Sequence, residues 1–325
     1  MMRAAWYERQ GPAGDVLVVG EMPDPAPGPG EVRMKVAASG INPGDVKKRR
    51  NEYGYGMPYR RVVPHSDGAG VIDQVGEGIA AARIGERVWC FGAQSYRPFG
   101  TAAEYCILPA AQAIPLPDGV SFEQGACLGI PGITAYRAVH MAGPVAGRWV
   151  VVQGAAGAVG LCAVRLAAAA DAQVIGIVRH PDDVAVARRA GAQHVVVLGG
   201  GQSEAIRRLA PQGVRHIVEV AFGANIAFDT EVLAQGGSIA AFATDVARPS
   251  VPFWLLLFKN AQIHLVGSDD VPAEARADAA HAISEALADG WEGLPIAQTL
   301  PLEEIVAAHE LVEAGVCRGK IVLTL

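Results

Sequence analysis

Gly154, Gly157 and Gly160, in the run Gly154-Ala155-Ala156-Gly157-Ala158-Val159-Gly160, carry the clearest chemistry in this sequence. A glycine turn of this kind, set between a strand and a helix, can receive the pyrophosphate of a dinucleotide. Gly154 allows the tight turn, Gly157 lets the backbone approach the phosphates, and Gly160 lets the helix pack closely on the strand. The first N–H groups of the helix and its positive dipole end then face the anion. The spacing is GxxGxxG rather than GxGxxG, so the glycines alone also suit a turn in any doubly wound domain.

The second strand, beyond the turn, bears on which dinucleotide is held. In an NAD-binding unit that strand ends in a carboxylate that bonds the ribose 2′-OH, about 20 residues past the glycines. Here the strand Gln173-Val174-Ile175-Gly176-Ile177-Val178 ends in Arg179-His180. A 2′-phosphate is held by cations and repelled by carboxylates, so this end favours NADPH. The alternative for Arg179 is a solvated surface residue. Asp182 and Asp183 follow Pro181, which suits the first position of a helix, and acids in a first turn complement the dipole. They read as helix-start residues; the competing view is that one of them grips an NAD ribose.

These residues need a frame. Arg148–Gln153, a β-branched run before the turn, reads as a buried strand, and Leu161–Ala170 after it reads as an Ala-rich helix. From Trp149 onward the pattern alternates regularly. Strands are expected at 149–153, 174–178, 194–198, 214–220, 238–242 and 262–267, with helices between most of them. That alternation predicts an α/β domain with a doubly wound parallel sheet. Residues 1–120 differ in texture, being rich in β-branched residues, Gly and Pro. The Pro-rich segment 21–30 can be neither helix nor central strand. Strands are predicted at Glu31–Ala38, Gly68–Gly76 and Glu86–Phe91, and Ser121-Phe122-Glu123-Gln124 has the pattern of a capping box that starts a helix into the second domain. Near the C-terminus, helices at Pro272–Asp289 and Leu302–Ala314 precede a last strand, Lys320–Leu325. This tail is expected to return to the first domain. The organisation is then a β-rich domain, 1–122 and 269–325, with a cofactor domain, 123–268, inserted and a cleft between them.

Bulk properties fit a cytoplasmic enzyme. The chain has 325 residues and a net charge of −6, with no basic run longer than Lys47-Lys48-Arg49-Arg50. Nucleic acid is therefore not an expected partner, and the short run reads as a solvated face or part of an anionic-cofactor cleft. No apolar run is long enough to cross a bilayer, and the N-terminus lacks the apolar core of a signal peptide. The five cysteines, Cys90, Cys106, Cys127, Cys162 and Cys317, form no CxxC pair, which argues for reduced thiols and against a zinc knuckle.

Several segments together resemble the medium-chain dehydrogenase/reductase superfamily, and within it the zinc-free, zeta-crystallin-like quinone oxidoreductases. They are Gly40–Asp45, Ser66–Ile72, Gly85–Val88, Cys127–Ala138, Gly191-Ala192 and Gly319–Leu323, in addition to the glycine turn. The resemblance covers essentially the whole chain. It implies a Rossmann domain inserted in a GroES-like catalytic domain, NADPH as cofactor, and hydride transfer to quinones or related conjugated carbonyls. The zinc-dependent relatives use Cys, His and Glu near positions where this chain has Asn42, Ser66 and Asp67. An amide and a hydroxyl are poor replacements for thiolate and imidazole on zinc, so no metal is expected. His65 has no His or Cys at ligand spacing and reads as a loop residue.

A quinone is already electrophilic, so the protein's tasks are to bind, orient and exclude water. Asn42 is a candidate to donate an amide N–H to the developing oxyanion, or to contact the cofactor, or simply to tie down its loop. Tyr53 and Lys47 are candidates to line the cleft; the resembling proteins often carry an aromatic where this chain has Lys47. Asp45 is as suited to bracing the loop as to touching ligand. Thr134 matches a family residue near the nicotinamide, with a hydroxyl bonded to its own helix backbone as the alternative. Arg318 and Lys320 are candidates to reach the cofactor phosphates. Phe253 and Trp254 suit a pocket roof, a subunit contact or core. The leading reading is NADPH-dependent quinone reduction by a homodimer. The alternatives are reduction of the C=C bond of 2-alkenals or enones, which needs a nearby acid such as Tyr53, and an NADPH-binding crystallin-like protein with little turnover that acts structurally or on RNA.

Overall fold

In the computed structural model, which describes residues 1–325, the chain forms two compact units. One comprises Met1–Ile130 and Ile283–Leu325, the other Pro131–Ala282. The sequence pattern places these divisions at 122/123 and 268/269. Both observed divisions fall inside helices, Gly129–His140 and Ala273–Ala288, rather than in the connections between elements.

The unit Pro131–Ala282 is a doubly wound α/β domain. Its six strands lie in the order His194–Val197, Gln173–Val178, Trp149–Gln153, Val214–Glu219, Leu233–Ala241, Gln262–Leu265. Every neighbouring pair is parallel. Parallel strands are covered by helices on both faces, which is why the inner ones read as continuous apolar runs. Val151, Ile175, Ile177, Ile217 and Ile239 form the core with Phe222 and Ile226. The sequence direction across the sheet reverses between Trp149–Gln153 and Val214–Glu219. In open α/β sheets such a switch point is where ligands bind, outside the carboxyl ends of the strands.

The other unit is β-rich. Its main sheet runs Ile296–Pro301, Lys320–Thr324, Glu31–Gly40, Asp67–Val75, Arg87–Cys90, Ala113–Pro115, with Tyr105–Pro109 also on Glu31–Gly40. The C-terminal strand pairs antiparallel with Glu31–Gly40, so the tail does return to the first domain. Glu31–Gly40 and Asp67–Val75 pair so closely that a Cβ at Gly70 would lie 2.0 Å from the Lys35 carbonyl oxygen.

The helix that starts at Ser121 ends before the second domain. The capping box forms, with Gln124 N donating to Ser121 Oγ at 3.2 Å and Ser121 N to Gln124 Oε1 at 3.1 Å. The helix then stops after Phe122–Gly125, and a separate one begins at Gly129. Packing overrides propensity here. Gly129 presses on Asp67, where a Cβ would sit 2.2 Å from Oδ1. The basic run 47–50 is also not a solvated face throughout. The helix Pro43–Arg49 turns Asp45, Val46 and Arg49 inward, and Arg49 is fully buried.

Candidate active site

The glycine turn joins the strand Trp149–Gln153 to the helix Ala158–Ala169 at the switch point of the sheet. Gly154 has φ +63°, a conformation that a side chain would strain. Gly160 carries the close approach, but to the turn rather than the strand: a Cβ there would lie 2.1 Å from the Gly154 carbonyl oxygen. Gly157 differs from both. Its extended backbone, φ −78° and ψ 167°, suits any residue, and a Cβ would meet only the Gly154 oxygen, at 3.3 Å. Gly157 caps the helix without a side chain, so the first-turn N–H groups of Ala158, Val159 and Gly160 are left without a side-chain acceptor. Such a terminus can receive an anion. Ala155 is buried in the turn and Ala156 half-buried beside it.

Arg179 and His180 stand exposed just past the end of Gln173–Val178, and no carboxylate engages the Arg179 guanidinium. Pro181–Asp183 form a 3₁₀ turn that leads into the helix Val184–Ala190, with Pro181 leading and both acids in the first turn. Thr134, in the helix Gly129–His140, is buried, and its hydroxyl has no hydrogen-bond partner. The backbone-bonded alternative is therefore not realised. An orphaned buried hydroxyl is costly and suits a missing polar partner.

In the β-rich unit, Asn42 is the centre of a second constellation. It ends the loop after Glu31–Gly40 and caps the helix Pro43–Arg49. Asp45 braces that cap, its Oδ2 accepting from Asn42 N at 2.8 Å. The Asn42 carboxamide lies between two charged groups: Nδ2 donates to Asp67 Oδ2 at 2.6 Å, and Oδ1 accepts from Lys320 Nζ at 2.5 Å. Lys320 also donates to the Ile41 carbonyl at 2.8 Å. Both ionic residues are buried, Asp67 completely. Burial pushes the Asp67 carboxyl up to about 7, although Lys320, Asn42 and the Ile130 N–H pull it down. The Lys320 ammonium is thus turned inward, onto the Asn42 loop. Arg318 is exposed two residues away.

A divalent metal does not fit here. The donors are one amide and one carboxylate, and a lysine ammonium already holds the amide oxygen. Tyr53 is 52% exposed and its ring stacks on Tyr55, centroids 6.0 Å apart. Its hydroxyl lies 3.7 Å from where a Gly44 Cβ would be. Lys47 is half-buried on the same helix as Asp45.

One network had no sequence signal. His65, at φ +77° and fully buried, places Nε2 2.9 Å from Nε2 of His309, a residue 244 positions away. Arg49 Nε can only donate, and it bonds His309 Nδ1 at 3.4 Å. His309 therefore carries its proton on Nε2 and donates to His65, which donates from Nδ1 to Ser39 Oγ at 2.8 Å. Ser39 then donates to Thr101 Oγ1 at 2.7 Å, and Thr101 to the Asp67 carbonyl at 2.6 Å. Burial keeps both imidazoles neutral, pulling His309 down to about 3. The Arg49 guanidinium is balanced by Glu313. His65 holds a left-handed conformation that is unusual for a side-chain-bearing residue, and its imidazole ties the Asp67 segment to the helix Ile305–Ala314.

Comparison with known proteins agrees with this geometry. Residues 28–118 match the family Alcohol dehydrogenase GroES-like domain, and residues 158–283 match the family Zinc-binding dehydrogenase. The quinone oxidoreductase of Rattus norvegicus is 31% identical over 309 residues, covering 93% of this chain and 91% of that one. The quinone oxidoreductase of Lama guanicoe is 30% identical, covering 100% and 98%. Among solved structures, an NAD-dependent alcohol dehydrogenase superposes with TM-score 0.88 at 26% identity, covering 100% of both chains. A mycobacterial protein complexed with NADPH superposes with TM-score 0.85 at 25% identity, again over 100% of both.

Proposed function

Because the chain belongs to the quinone oxidoreductase family of the medium-chain dehydrogenase/reductase superfamily, we propose that this oxidoreductase reduces quinones with NADPH and without a metal. The observation that carries the cofactor half is the uncapped N-terminus of Ala158–Ala169 behind Gly157, at the switch point of the sheet. The backbone of Gly154, Ala155, Ala156, Gly157, Ala158, Val159 and Gly160 would hold the pyrophosphate, and the orphaned Thr134 hydroxyl would bond the nicotinamide end. When bound, the nicotinamide supplies the hydride.

The remaining tasks fall on the chain's own side chains. Arg179, with His180 beside it, is proposed to select the 2′-phosphate. Support comes from its exposure and from the absence of a carboxylate at that strand end. Asn42 is proposed to donate its second amide N–H to the quinone oxygen as charge develops there. The exposed Tyr53 ring would flank the acceptor and its hydroxyl would be in position to supply a proton. Lys320 is read as a support for Asn42 rather than a phosphate ligand, because its ammonium is already engaged.

The functional unit is proposed to be a homodimer. The helix Phe253–Phe258 exposes Trp254 by 65% and Phe258 by 70%, and the adjoining edge strand exposes Leu265 by 76%. Such a patch beside an unpaired strand edge calls for a cover. The proposed setting is the cytoplasm, in keeping with five free thiols; no helix is long and apolar enough to cross a membrane.

The test is NADPH and NADH oxidation measured against panels of quinones and 2-alkenals, with and without EDTA. Quinone-dependent NADPH oxidation that survives EDTA is expected. Turnover with alkenals alone, or one tightly bound zinc per chain, would overturn the reading.

A further inference from the structure

The hydrogen bonds around Asn42 obey a parity that a carboxylate at position 67 satisfies and a carboxamide there does not. At one end the Ile130 backbone N–H donates to Asp67 Oδ1 at 2.8 Å; at the other the Lys320 ammonium donates to Asn42 Oδ1. Both ends can only donate. Between them stand Asp67 and Asn42, joined by Asn42 Nδ2 donating to Asp67 Oδ2. A carboxylate offers two acceptors and a carboxamide one acceptor and one donor, so all three contacts are complementary. The carboxamide cannot turn over, because its N–H edge would then face Lys320 and its oxygen would face the carboxylate.

We infer that Asp67 is a positioning residue for the proposed reaction, fixing the Asn42 carboxamide so that its remaining N–H is held for the acceptor oxygen. The inference rests on the donor role proposed for Asn42. The surroundings allow little escape. Asp67 is fully buried, and Gly129 is packed so tightly on its carboxylate that even a methyl group would overlap it. The Asp67 carbonyl is itself the end of the chain of hydrogen bonds that starts at Arg49, so backbone and side chain are both held.

The parity makes a test possible that separates positioning from stability. In Asp67→Asn, two carboxamides stand between two donors, and in every arrangement one contact sets donor against donor. In the double variant Asp67→Asn/Lys320→Met one end is gone. The satisfied arrangement then has the new carboxamide at position 67 accepting from Ile130 and donating to Asn42 Oδ1, with the Asn42 carboxamide reversed. The double variant should therefore regain stability while its Asn42 presents the wrong edge.

The measurements are melting temperature, NADPH affinity by fluorescence titration, and turnover with a naphthoquinone. Asp67→Asn should melt lower by about 3–6 °C. The double variant should recover most of that loss and bind NADPH as the wild type does. Its turnover should stay about tenfold low, within roughly twofold of Asn42→Ala. Recovery of turnover along with melting temperature would reduce Asp67 to a structural role and overturn the inference. Full turnover in Asp67→Asn would do the same. Were that variant not to fold, the double variant decides alone. Were Asn42→Ala itself to run at the wild-type rate, the donor role in the proposed function would fail instead.

Discussion

The glycine turn allows binding and folding to be separated by one methyl group. At Gly157 the backbone is extended and the only contact for an added Cβ is the Gly154 oxygen, at 3.3 Å. A few tenths of an ångström of adjustment would accommodate it, and alanine also lowers the entropy of the unfolded chain. Gly157→Ala should thus change stability by no more than about 1 kcal/mol, a shift of about 2–4 °C. The same methyl would stand where the phosphate must approach the helix N-terminus, so NADPH affinity should fall at least about tenfold, or ~1.4 kcal/mol. At Gly160 the order reverses. There the Cβ would lie 2.1 Å from a backbone oxygen that the turn cannot withdraw. Gly160→Ala should cost about 1–3 kcal/mol, and the melting temperature should fall by roughly 3–10 °C. Thermal melts and fluorescence titration with NADPH read the two effects independently. If Gly157→Ala bound NADPH with wild-type affinity, the pyrophosphate could not sit on this turn; if it melted as low as Gly160→Ala, the steric contrast between the two glycines would be refuted.

Arg179→Ala should weaken NADPH by about 1.5–3 kcal/mol, the worth of one charge-assisted bond, and leave NADH nearly unchanged; equal losses in a titration with both cofactors would refute the 2′-phosphate contact. If the proposed homodimer forms through this patch, Trp254→Glu together with Leu265→Glu should yield monomers in sedimentation runs without lowering the melting temperature of the fold, since both side chains are already exposed; a variant that still sediments as a dimer would refute the patch. His309 is held neutral, with its folded value lowered from 6.5 to about 3. Its contribution to stability is therefore present above pH 6.5 and declines as the pH falls toward 3. Denaturant melts of the wild type should weaken by about 1.4 kcal/mol per pH unit per such histidine in that window, and His309→Leu, though less stable at pH 7, should show a shallower decline.

The doubly wound sheet was legible because its information is local. Period, β-branching and glycine placement over five to ten residues announce each strand and turn, and the strands 149–153, 214–219 and 262–265 stand within a few residues of expectation. The pattern of the second strand also points to Arg179 at its end, whereas Asn42 stands out only through the family resemblance. Local patterns misjudge depth. The apolar segment 253–258 suits core as well as a subunit contact by its pattern, yet it is largely exposed on an edge of the sheet. Four consecutive cations at 47–50 suggest a solvated face, yet one of them is fully buried on a glutamate. Depth depends on which face of a short helix meets the rest of the chain, and seven residues are too few for periodicity to say.

The sequence by itself determined the two kinds of domain and the glycine turn, because each is a matter of residue type at short spacing; the lack of zinc-type ligands at 42 and 66 is legible only through the family resemblance. Only the tertiary structure decided what surrounds Asn42. Asp67 and Lys320 reach it from 25 and 278 residues away, and His65 finds His309 across 244. Hydrogen-bond complementarity between such distant groups leaves no periodic trace in the chain. It exists only once the antiparallel pairing of the C-terminal strand with Glu31–Gly40 has brought the groups together, and burial then makes a contact of donor against donor costly.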